Sequence, residues 1–283
     1  MKLRDVFLVP LAALPSLFPV RAEIPDVPFS GAYGATSGAG SLSGWDRLGG
    51  DNPATLGAPA WSVSAAGYAP FGLDDMHVVE VETARDAPRW GASFGVRTLS
   101  AGEGVSVSLF RGTLAARLGE RWSGGGALRF GVGGATGRDG GVGGGLGMLW
   151  RPRSFASLGA AWEDGLIGFG ADCGSDFGGA GGNAASWRYS IERYFGAEGE
   201  FRHGFGLRLH SLLSIYAGFA PARETASLGV RFGAGSWEGF SALRRHAALG
   251  GTPVQGVRWT RATGGEGGEG ENEKSRAPPS SRR

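Results

Sequence analysis

The sequence predicts an all-β protein: a transmembrane, antiparallel, up-and-down β-barrel of about 14 strands behind an irregular N-terminal segment. Three observations carry this. Apolar and small or polar residues alternate with a period of two. Tight turns and Gly-rich links punctuate the alternation. Tryptophans recur at the ends of the alternating runs.

The alternation is clearest between Trp122 and Trp162. Trp122, Gly124, Gly126, Leu128, Phe130 and Val132 share one face, and Ser123, Gly125, Ala127, Arg129 and Gly131 the other. Leu146, Met148 and Trp150 then alternate with Gly145, Gly147 and Leu149. A turn is expected at Arg151-Pro-Arg-Ser154, and the pattern returns with Leu158, Ala160 and Trp162. A barrel in lipid needs this division, apolar outward and polar inward.

Taken in order, the chain opens with Lys2 and Arg4, then an apolar run from Val6 to Val20 broken by Pro10, Pro15 and Pro19. Residues 1–22 read as a secretory signal peptide cut after Ala22. The run is too short and too rich in proline for a spanning helix. Residues 23–58 are rich in Gly, Ser and Ala with little periodicity, and are expected in or at the periplasmic mouth. The barrel is expected over residues 59–262. Its strands begin with Trp61, Val63 and Ala65, then 76–84, then Trp90, Phe94 and Val96 against Gly91, Ser93, Gly95 and Arg97, then 105–118. After Trp162 a short strand over 166–171 is expected, with 172–185 as loop. Further runs lie at 187–195, 201–209, 213–219, 226–232, 239–245 and 253–261. Short turns are expected at 85–88, 119–121, 151–154, 210–212 and 234–238, with longer links at 134–141 and 246–252. If the short turns are periplasmic, both ends of the barrel are too. The tail, 263–283, is Gly, Glu, Ser, Pro and Arg, and is expected to be disordered.

Glycine makes up 55 of the 283 residues, roughly a fifth against a usual share of about 7%. It has no period of three, so collagen is excluded. It falls within β-patterned runs, where it opens space on an inward face. The net charge of +2 argues for no nucleic-acid partner. The single cysteine, Cys173, allows no internal disulfide.

Gly91-Ala-Ser-Phe-Gly95 spells a nucleophile elbow, but Ser93 falls in mid-strand with no helix after it. Gly265-Glu-Gly-Gly-Glu-Gly270 spells a dinucleotide fingerprint outside any strand-helix context. His77, His203, His210 and His246 show no metal-ligand spacing. The expectation is no catalytic residue, no cofactor and no metal. Arg97, Arg129, Arg202, Arg208, Arg231 and Arg258 all lie on the inward face. Outward, each would cost about 2–4 kcal/mol at the bilayer midplane. Inward, they either make a basic lumen suited to amphipathic anions or pair with Glu80, Glu82 and Glu163 as filling.

Asp51-Asn-Pro-Ala-Thr-Leu56, just ahead of the first strand, resembles the Asn-Pro-Ala motif of the fatty-acid transporter (FadL-like) superfamily, which includes PorV/PorQ-like outer-membrane proteins. Asn52, Pro53 and Ala54 are the matching positions. The Arg-Pro hairpin within 145–159 and His246-Ala-Ala-Leu-Gly-Gly-Thr252 are similar to motifs of the same family. The family's Met-Gly-Gly-Ala stretch ahead of the motif has no counterpart in 31–48. The resemblance implies a barrel in the bacterial outer membrane with residues 23–58 entering its mouth as a hatch. It also implies passage of hydrophobic or amphipathic small molecules. The alternative is a non-catalytic barrel component of a protein-secretion or surface-attachment apparatus, with secretion-system proteins as partners. A third is a lipid-modifying enzyme. Outer-membrane lipid is the common surrounding of all three.

Overall fold

Alternation becomes a wall only when every strand finds two neighbours, and here each does. The structure, a computed structural model, describes Leu42 and residues 52–57, 60–102, 104–133, 139–163, 166–177, 185–195, 199–210 and 212–262. The expected signal peptide, most of 23–58 and the tail from 263 lie outside the described residues.

Fourteen strands follow in chain order: β1 (Ala60–Tyr68), β2 (Met76–Asp86), β3 (Trp90–Ala101), β4 (Val105–Arg117), β5 (Trp122–Gly133), β6 (Asp139–Arg153), β7 (Ala156–Glu163), β8 (Leu166–Phe177), β9 (Ala185–Phe195), β10 (Glu200–His210), β11 (Leu213–Ala220), β12 (Thr225–Ala234), β13 (Trp237–His246) and β14 (Gly250–Ala262). All pairs are antiparallel, and all but the closing pair join consecutive strands. The barrel closes where β1 meets β14, from Ala60 opposite Ala262 to Tyr68 opposite Val254. Closure leaves no edge with unpaired backbone groups, which a barrel in lipid requires.

Two sequence expectations need correction. Residues 172–185 are not loop throughout: β8 runs to Phe177 and β9 starts at Ala185. The reason is inside the barrel. Asp172 faces the lumen, and its Oδ1 accepts hydrogen bonds from the Ser157 backbone N–H and hydroxyl, both at 2.7 Å. A polar, Gly-rich stretch can thus remain strand when its polar side is satisfied inward. Residues 151–154 are not all turn: β6 continues to Arg153, with a register shift between Trp150 and Arg153. Pro152 has no N–H to donate, and such positions favour a bulge.

The outer surface is apolar. Leu128 is 72% exposed, and Leu114, Phe94, Phe130, Phe169 and Phe232 also stand outward. Water would penalise so large an apolar belt; lipid would not. Trp61, Trp90, Trp122, Trp150, Trp187, Trp237 and Trp259 all sit near the mouth that holds the start of β1 and the end of β14, here called the terminal mouth. Trp122 stacks on Trp150 with ring centroids 5.7 Å apart. Trp162, Phe195, Phe201 and Phe219 lie toward the far mouth. Aromatic girdles of this kind mark the two membrane interfaces.

Inside, one side of the lumen carries its own core. Tyr68, Val78, Leu99, Tyr216, Phe240, Ala242 and Val254 form a buried cluster, with Ala66 and Met76 packed against it. The loop after β1 folds over this region. Pro70 is buried, Phe71 adopts φ 56°, and its N–H donates to the Thr252 hydroxyl at 2.8 Å.

Candidate functional site

The opposite side of the lumen is lined by glycine and is occupied by the segment ahead of β1. Asn52-Pro53-Ala54 lies inside the barrel, with Asn52 2% and Ala54 0% exposed. Asn52 organises the segment. Its Nδ2 donates to the carbonyls of Leu42 (2.8 Å) and Met148 (2.9 Å), and its Oδ1 accepts from the Ala54 N–H at 2.9 Å. The Thr55 N–H closes a turn on the Asn52 carbonyl at 3.2 Å. Pro53 occupies the second turn position, which its fixed φ suits. Ser123 on β5 donates its hydroxyl to the Ala54 carbonyl at 2.7 Å. Leu42, 1% exposed, donates its N–H to Glu192 Oε1 at 2.7 Å.

The wall makes room for this segment by omitting side chains. A Cβ on Gly125 would overlap the Pro53 carbonyl, one on Gly147 the Asn52 amide, and one on Gly159 the Leu42 carbonyl. These three come from β5, β6 and β7. Part of the glycine excess is thereby explained, as close approach of one backbone to another.

The six inward arginines divide into two groups. Arg97, Arg129 and Arg202 hold carboxylates within the wall. Arg97 Nε stands 3.5 Å from Glu80, both nearly fully buried. Arg129 Nε is 3.2 Å from Glu163, which Arg111 approaches at 3.8 Å. Arg202 meets Glu200 at 2.8 Å, and Arg223 meets the same residue at 2.9 Å. Glu82 is buried on the same wall, on the inward face of β2.

Arg208, Arg231 and Arg258 instead line a cavity of about 490 Å³ at the terminal mouth, beside Thr55, Leu56 and Gly57. Arg151, Arg153 and Arg188 line it too. The acids in its lining are Asp172 and Asp176. Arg188 reaches Asp172 at 3.3 Å, Arg208 reaches Asp176 at 3.8 Å, and Arg258 reaches Glu238 at 3.3 Å. Arg231 lies over the Tyr216 ring at 5.4 Å.

Three of these cavity arginines escaped sequence reasoning. Arg188 was within reach: it follows an outward Trp187, so alternation sends it inward. Arg151 and Arg153 were hidden by the expectation of a turn at Pro152. Arg111 was also missed, although it shares the inward parity of Thr113 and Ala115.

The remaining motifs have local explanations. Ser93 lies in extended β3 and shares a 2.7 Å hydrogen bond with Thr113, without the strand-to-helix turn of a nucleophile elbow. His246 accepts the N–H groups of Ala248 (3.1 Å) and Leu249 (3.2 Å) on Nδ1, capping the hairpin to β14. His203 faces outward and pairs with the Tyr189 hydroxyl at 2.8 Å. Among the described residues no group of three or more His, Cys, Asp or Glu is placed to hold a metal ion.

No family model matches the chain, and no curated protein matches it by sequence. Solved structures do match in fold. The outer membrane protein Omp33 of Acinetobacter baumannii superposes with a TM-score of 0.54 at 7% identity, over 72% of this chain and 98% of that one. The CymD monoaromatic hydrocarbon channel gives 0.54 at 12% identity, over 83% of this chain and 98% of its own. A mutant of the TodX monoaromatic hydrocarbon channel gives 0.51 at 9% identity, over 84% and 100%. The fold is that of an outer-membrane β-barrel.

Proposed function

We propose that this chain is an outer-membrane barrel of the FadL-like type that takes part in passing hydrophobic or amphipathic small molecules across the outer membrane. Residues 23–58 serve as its hatch. The observation that carries this reading is the lumen itself: a chain segment fills part of it, and an open cavity of about 490 Å³ remains beside that segment. Pockets that hold small molecules have volumes of about 300–1,000 Å³. The apolar outer belt and the two aromatic rims support a barrel wall in lipid. We read the terminal mouth as the periplasmic one, because the short turns expected at 85–88, 119–121, 151–154, 210–212 and 234–238 all lie there. The cargo of two fold neighbours, monoaromatic hydrocarbons, falls in the same broad class.

The test is flux. Vesicles carrying the purified full-length protein should take up a medium-chain fatty acid or toluene faster than protein-free vesicles. Equal rates would overturn the reading, as would recovery of the protein in the soluble periplasmic fraction.

One observation favours the alternative, a barrel component of a secretion or surface-attachment apparatus. One side of the lumen is packed by the apolar cluster, and the buried Arg97–Glu80 and Arg202–Glu200 pairs take up further space on the wall. Copurification with secretion-system proteins, together with unchanged uptake on deletion, would select it.

A further inference from the structure

Resting on the channel reading, we propose that the chamber at the terminal mouth is a binding site for a small oxyanion, the phosphate or carboxylate of a solute in the lumen. The far-lumen arginines are matched to carboxylates at near contact and are buried with them. The chamber differs. Six arginines line it against two aspartates, and Glu238 beside the lining takes up Arg258 at 3.3 Å, which leaves cations in excess. Asp172 is largely committed: Ser157 donates twice to one of its oxygens, and Arg188 holds the other. Asp176 and Arg208 meet at 3.8 Å with side chains 79% and 47% exposed, so water competes for both. A diffusing anion can replace so loose a partner.

The arrangement is also a row. Ser186, Arg208, Ser214 and Arg231 are successive cross-strand neighbours over β9, β10, β11 and β12. Their strands are spaced by about 4.8 Å, so Arg208 and Arg231 start about 10 Å apart. Two arginine side chains can close that gap on one anion, with the serine hydroxyl between them as a further donor. Arg188 has Gly174 and Gly206 as its neighbours to either side. The guanidinium meets Asp172 of β8 at 3.3 Å and still lines the chamber. Arginine suits this task because its planar fork grips a phosphate or carboxylate through two hydrogen bonds. The apolar part of the lining, Leu56, Ala156, Leu207 and the Tyr216 ring, is the minority, so the site selects for charge rather than for a long acyl chain.

The experiment is calorimetric titration of the full-length protein in neutral detergent at low ionic strength. The probes are inorganic phosphate, phenyl phosphate and benzyl alcohol. Both phosphates should bind and benzyl alcohol should not. The double variant R188Q/R208Q should weaken phosphate binding roughly tenfold or more, the scale of one charge-assisted pair. R89Q, on an exposed turn at the same mouth, should leave it unchanged. If R188Q/R208Q fails to fold, R188K/R208K keeps the charge, loses the fork and should still weaken binding. Tighter binding of phenyl phosphate than of phosphate identifies the charged end of an amphiphile. Equal binding identifies a free polar anion. Phosphate binding that survives the arginine substitutions, or benzyl alcohol binding as tight as phenyl phosphate, overturns the site. Phosphate binding without flux keeps the site and removes the channel reading; flux without phosphate binding does the reverse.

Discussion

On one side of the lumen, β5, β6 and β7 present Gly125, Gly147 and Gly159, and the space in front of them is taken by Asn52-Pro53-Ala54 and Leu42. On the other side, β13, β14, β1, β2 and β3 fill the space with their own Phe240, Val254, Tyr68, Val78 and Leu99. Both walls are equally strand and equally well paired. What separates them is the source of the filling. A wall that supplies its own side chains is packed as soon as the barrel closes. A glycine wall is packed only when another stretch of chain arrives, so its occupancy is in principle reversible. The chamber adds a third condition, in which neither side chains nor chain segment fill the space and the loose Arg208–Asp176 pair stands open to water.

The comparison can be broken most severely at Gly159. Gly159→Val places a side chain where the Leu42 carbonyl sits, and neither backbone can give way cheaply. We expect Leu42 and residues 52–57 to leave the lumen, passing from protease-resistant to readily cleaved in vesicles, while the barrel stays folded by circular dichroism. Protection unchanged from wild type would show that the glycine wall does not hold the segment.

Arg97→Ala on the opposite wall should cost stability rather than release a segment. It leaves Glu80 buried beside it without its partner, a penalty of about 3–5 kcal/mol. Urea unfolding from lipid vesicles would measure it, and a loss below about 1 kcal/mol would mean the pair is solvated. Leu99→Ala in the apolar cluster should lower stability by about 2–5 kcal/mol in the same assay. Leu42 and residues 52–57 should stay protected in that variant. Release of the segment would mean that the two walls are coupled.

The mildest change is Asn52→Ala. It removes the donors to the Leu42 and Met148 carbonyls and the acceptor for the Ala54 N–H. Each buried group left unpaired costs about 1–3 kcal/mol. The segment should become partly cleavable, between wild type and Gly159→Val, with barrel unfolding unchanged. Full protection would assign the seating of the segment to the Ser123 and Glu192 contacts instead.

How far the sequence reached can be judged from single residues. Alternation assigned Arg97, Arg129, Arg202, Arg208, Arg231 and Arg258 to the lumen; Arg97 and Arg202 are buried, and Arg208, Arg231 and Arg258 line the cavity. Which of them pair was not readable. Arg129 and Glu163 stand on β5 and β7 with β6 between, so their meeting depends on stagger across three strands. Arg202 and Glu200 are two apart on one strand, and that pair could have been seen. Asp172 misled because a polar residue among glycines reads as loop unless its inward partner, Ser157, is known.

The sequence by itself determined the wall: strand after strand, each with an outward apolar face and an inward small or charged one, because side-chain direction in a strand follows from local backbone geometry. Only the tertiary structure decided the contents of the lumen. Glycine in a strand states that a side chain is absent; it does not state what takes the space. Closure and register brought Asn52 against Gly147 and gathered six arginines around one cavity. Those neighbours are set by strands far apart in the chain, through distances that no periodicity encodes.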